Sequence, residues 1–138
     1  MVVAEPNLDP EDATLSGIVA NQSEEAYVTA GHAALVAQAA TWAAAAPIWA
    51  SFVGTLRATA PAAMHRGATS LVSSSLGGMF FGLTVPRTYL FGAQSLPHQH
   101  EELLRAGGVP VAVVPDAGHG MMGENPAGVA QAVADTLP

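Results

Sequence analysis

Val109-Pro110-Val111-Ala112-Val113-Val114-Pro115-Asp116-Ala117-Gly118-His119-Gly120 is the stretch on which the fold turns. A β-branched run bounded by Gly108 and Pro115 reads as a short buried strand over Val109–Val114. A loop over Asp116–Asn125 follows. Pro126 then opens a closing helix carrying Val129, Ala130, Val133 and Leu137 on one side. Upstream of this run, Arg87–Phe91 reads as a strand and Gly92–Pro97 as the turn that leaves it. His98–Ala106 reads as a helix stopped by Gly107-Gly108. Strand, helix, strand, loop, helix is a βαβα unit, which implies parallel strands and a right-handed crossover. The class expected is α/β.

Toward the N-terminus, Val2-Val3-Ala4 reads as a very short buried strand that exits through Glu5-Pro6-Asn7. Residues 8–15 form an acidic loop or first helical turn. Asn21 with Glu24 three residues on fits a capping box, predicting a helix from near Gln22 toward Ala46. Pro47 suits the first turn of a second helix, in which Trp49, Phe52, Val53 and Leu56 fall on one apolar face. A less regular segment from Pro61 to Phe81 carries Ser73-Ser74-Ser75 and Gly77-Gly78. There is no internal repeat.

Composition removes several function classes. Of 138 residues 50% are hydrophobic and 11% charged, the opposite of a disordered tail. Eleven acids stand against four arginines and no lysine, giving a net charge of −7. A nucleic-acid binder displaces counterions with basic residues, so no nucleic-acid partner is expected. Anionic membrane surfaces are disfavoured for the same reason. Cysteine is absent, so neither a disulfide nor a thiolate metal site is available. Ala26 to Leu56 lacks Asp, Glu, Lys and Arg, but Pro47 interrupts it and Thr29, His32, Gln38 and Thr41 are spread through it. Helices of a soluble protein are the better reading, with no membrane span and a cytoplasmic location as the expectation. The N-terminus carries no basic region and no long apolar run of a signal peptide.

Val85-Pro86-Arg87-Thr88-Tyr89-Leu90-Phe91-Gly92, Ala106-Gly107-Gly108-Val109-Pro110 and Val114-Pro115-Asp116-Ala117-Gly118-His119-Gly120-Met121-Met122, with Glu124-Asn125-Pro126, together resemble the C-terminal part of the α/β-hydrolase fold. The resemblance implies a partial α/β-hydrolase fold of about three parallel strands, with a helical cap inserted after the first. Residues 1–13 would be strand and loop, 14–82 the cap, and 83–138 the βαβα segment with its histidine loop. It also implies that His119 is the general base of a Ser-His-Asp/Glu triad. The departure is large: no Gly-x-Ser-x-Gly occurs in the chain, and that motif sets the family's nucleophile on a strained strand-to-helix turn. The oxyanion-hole donors belong to the same missing part. The expectation is therefore the latter portion of a larger domain. Its nucleophile would come from an N-terminal segment or a separate chain, and its open sheet edge would favour self-association.

Ser73, Ser74, Ser75 and Ser95 are poor substitutes for the nucleophile; the serine run sits in the helical cap segment with no strand before it. The acid has three candidates. Glu5 leaves the strand where some members of the fold place it, while Asp116 and Glu124 flank His119. Asp116 also suits a turn, and Glu124-Asn125-Pro126 suits the start of the last helix. Trp49, Phe52 and Met121 are candidates for contact with substrate, with ordinary core packing as the alternative. His98-Gln99-His100-Glu101 opens a helix, where positions two apart diverge, so no metal site is expected. The resemblance implies hydrolysis of a small apolar ester-like substrate without organic or metal cofactor. The alternative is an inactive fragment or interaction module of the same fold.

Overall fold

The computed structural model describes residues 1–136; Leu137, expected on the apolar side of the closing helix, lies outside them. The chain forms two compact units, one of Met1–Pro6 with the chain from Phe81 onward, the other Asn7–Phe80.

In the first unit the β-branched and aromatic runs form strands, as their composition favours. Val2–Ala4 (β1), Thr88–Gly92 (β2) and Val111–Val114 (β3) make a parallel sheet in the order β1-β2-β3. Ala4 pairs with Leu90, and Leu90 with Ala112, which fixes the register across all three strands. The chain is α/β, as the βαβα reading expects. Alternation then divides the side chains between the two faces. Val2, Ala4, Leu90, Ala112 and Val114 share one face and pack with Met121, Val129 and Val133. Met121 belongs to a short helix, Met121–Glu124, and Val129 and Val133 to the closing helix, Pro126–Ala134. On the other face the Tyr89 and Phe91 rings lie 4.6 Å apart, and Phe91 contacts the His98 ring at 5.2 Å. Both residues are fully buried, which suits a parallel sheet covered on both sides. The crossover helix, Gln99–Ala106, lies between β2 and β3. His98 caps its start and Gly108, with φ 67°, turns the chain away from its end.

The second unit is helical: α1 (Thr14–Ala20), α2 (Glu24–Ala26), α3 (His32–Ala45), α4 (Ala50–Ala58), α5 (Pro61–Val72) and the first four residues of α6 (Gly77–Gly82). Its core joins Val19, Tyr27, Leu35, Ala39, Val53, Leu56 and Ala68. The single helix expected from near Gln22 toward Ala46 is corrected here. Residues 14–20 form a helix of their own, and Asn21 ends it instead of starting the next one. Ser23 is the cap that starts α2, its hydroxyl accepting from the Ala26 N–H at 3.1 Å. A π-helical turn, Tyr27–Gly31, then connects α2 with α3. Its wide turn suits Gly31, where a Cβ would collide with the Gln22 amide and the Tyr27 ring. No helix among the described residues is long and apolar enough to cross a membrane.

Candidate active site

Parallel strands deliver their carboxyl ends to one edge of the sheet, where loops can bring side chains from different strands together. β1 and β3 both end there. Glu5 follows β1 directly and donates its N–H to Leu90 O at 3.1 Å, so it is still bound to the sheet when the chain turns. Its φ of 40° lies in the left-handed region, which costs a non-glycine residue roughly 1–3 kcal/mol. That conformation aims the carboxylate across the end of β2. Oε1 accepts from the Gly92 N–H at 2.8 Å, and Oε2 stands 3.0 Å from His119 Nδ1.

The pair is asymmetric. The Glu5 side chain is 8% exposed and the His119 side chain 73%. A carboxylate only accepts, so in a neutral imidazole this contact favours the proton on Nδ1 and leaves Nε2 with a lone pair. This is the tautomer a general base needs, held by a third group that also balances the imidazolium charge. Among the described residues, Glu5 is the one hydrogen-bonding partner of the His119 ring. No hydroxyl of the described residues stands in bonding distance of it. Ser73 and Ser74 give their hydroxyl protons to Thr69 O and Ser70 O, and Ser75 to Asp9 Oδ1.

The loop that carries His119 is fastened at several points. Asp116 turns the chain with φ 52°, and Ala117 is buried. Ala117 O accepts from the Gln94 N–H at 2.8 Å. Gly92 lies so close that a Cβ there would sit 2.4 Å from Gly118 O and 2.5 Å from Ala117 O. From the other side Glu124 Oε2 accepts from the Gly118 N–H at 2.6 Å. Asn125 Nδ2 donates to Pro115 O at 2.9 Å, and Asn125 Oδ1 caps the closing helix at Gly128 N. Of the three acid candidates, the fold brings Glu5 to the imidazole, uses Asp116 in a turn and sets Glu124 against loop backbone. The parts of Gly92 and Glu124 have no short-range signature in the sequence. Only Gly92 at a strand end hints at a close backbone approach.

The other expected site residues are spread over the molecule. Met121 is buried beneath the loop against Leu90 and Val114, while Met122 is exposed. Trp49 and Phe52 lie in the helical unit, their rings 5.9 Å apart. Trp49 with Trp42, Ala45 and Ala46 lines an open cavity of about 360 Å³. The His98 and His100 rings lie 5.2 Å apart at a tilt of 39°, and no cluster of three or more metal-ligating side chains exists among the described residues. No protein-family model and no curated protein matches the chain.

Proposed function

We propose that this chain supplies the base and the orienting acid of an α/β-hydrolase-type esterase acting on small apolar esters. The observation that carries the reading is the 3.0 Å contact between Glu5 Oε2 and His119 Nδ1 at the carboxyl ends of parallel strands. The strained backbone of Glu5 supports it, since strain of this kind concentrates at functional sites. His119 Nε2 takes the proton of a serine hydroxyl as its oxygen attacks the ester carbonyl. It returns that proton to the departing alkoxide, leaving an acyl-serine. Water then attacks with the same histidine as base, releasing acid and restoring the serine. The serine and its oxyanion donors come from outside these 138 residues, on a strand laid along the open edge of β1.

The test is co-expression with the segment encoded immediately upstream, followed by assay of p-nitrophenyl butyrate. Ester hydrolysis should appear with that segment. It should fall roughly 10²–10⁴-fold in H119A and in E5Q, the range general-base catalysis supplies. A complex that binds the ester without turning it over would instead establish a non-catalytic module, and hydrolysis undiminished in H119A would remove His119 as the base.

A further inference from the structure

The proposed base is the most exposed member of its site, so something other than burial must hold its backbone. We infer that Glu124 is a positioning residue for His119, fixing the loop on both sides of it so that the imidazole meets Glu5. This rests on the reading of Glu5 and His119 as a working pair. Three features of the loop carry it. The Glu124 carboxylate accepts from the N–H of Gly118, the residue directly before His119, at 2.6 Å. A bond from a charged acceptor is about twice as strong as a neutral one. The same carboxylate lies under Gly120, the residue directly after, where a Cβ would stand 3.2 Å from Oε1. Glu124 N in turn donates to Gly120 O at 3.1 Å. One side chain thus touches the residues on both sides of His119, Gly118 and Gly120. Gly118 is held from the other direction too, by Gly92 pressed against its carbonyl and by the Met121 N–H donating to it at 3.1 Å.

The experiment reads the tautomer of the His119 ring and the exchange rate of the Gly118 amide by nitrogen-15 NMR on the full chain. The wild type should show His119 protonated on Nδ1. In E124A the Gly118 amide should exchange roughly tenfold to a hundredfold faster, the loss of one bond to a charged group. The His119 ring should relax toward the tautomer mixture of a free imidazole. E124Q keeps an acceptor oxygen and should restore both signals. G120A keeps the carboxylate and makes it give way by a few tenths of an ångström, so it should move both signals in the direction of E124A by a smaller amount while removing no polar group. A wild-type Nδ1–H tautomer that persists in both E124A and G120A would overturn the role of Glu124 alone. A wild type already showing the free mixture would overturn the Glu5–His119 pair, and this inference with it.

Discussion

Glu5 accepts an unfavourable backbone conformation and answers it with three bonds: N–H to Leu90 O, Oε1 to Gly92 N, and Oε2 to His119. The middle bond makes Gly92 more than the end of a strand. Its N–H aligns the carboxylate, and its bare α-carbon admits the backbone of Ala117 and Gly118. Gly92 itself has an ordinary extended φ of −73°, so alanine is compatible with the backbone and the obstacle is space alone. Gly92→Ala should therefore push the histidine loop away from β2 and break the Glu5–His119 contact while the sheet survives. Overpacking of this kind typically costs 1–3 kcal/mol. Thermal melting should register a modest loss, and the His119 ring should show the free tautomer mixture. An unchanged tautomer in a well-folded Gly92→Ala chain would show that the close approach does not position the loop.

At the scale of elements, the π turn Tyr27–Gly31 sets Tyr27 deep in the helical unit. Its hydroxyl stands 3.1 Å from both His32 Nδ1 and Met64 Sδ. Burial raises its pKa above the ordinary value of 10.0. The unfolded chain then releases this proton before the folded one does. The stabilisation is complete below pH 10 and is lost as pH rises through the higher folded value. Melting temperature should hold up to about pH 9.5 and fall above pH 10, a fall that Tyr27→Phe should reduce while costing about 1 kcal/mol at neutral pH. Equal alkaline loss in Tyr27→Phe would assign the effect to other groups.

These elements also show what a sequence discloses. The strand at Val111–Val114 was readable because β-branched residues lie between a glycine and a proline, and the helix after it because Pro126 and the small apolar face announce it. The start of α2 is ambiguous in the sequence because Asn21 and Ser23 are both good caps. Only packing decides that Asn21 closes α1 and Ser23 opens the next helix. The π turn has no residue pattern of its own. At the site, the sequence puts His119 in the loop after β3 and Glu5 at the exit of β1, two strands that β2 separates, and the fold brings the two side chains within 3.0 Å. The parts of Gly92 and Glu124 were not legible in the sequence, since each depends on how closely two backbones approach in space.

At the scale of the molecule, the open question is the β1 edge. Glu5 N donates to Leu90 O and Thr88 N to Met1 O, so the odd-numbered residues of β1 address β2. By alternation, Val2 and Ala4 direct their backbone groups to the open side. A parallel strand expects neighbours, and an unpaired edge templates the addition of another strand. Under the proposed function that strand brings the serine, and without it a second copy of this chain is the available substitute. Sedimentation of the isolated chain should show reversible self-association in the micromolar range. Ala4→Pro removes one outward N–H from the open edge and leaves the β1–β2 bonds in place, since proline is tolerated on edge strands. That variant should be monomeric at the same concentrations and melt within a few degrees of the wild type. It should also fail to recover ester hydrolysis with the upstream segment, because the same edge serves both partners. Self-association that persists in Ala4→Pro would move the contact elsewhere. Recovered hydrolysis in that variant would mean that the serine reaches His119 by a route other than strand pairing along β1.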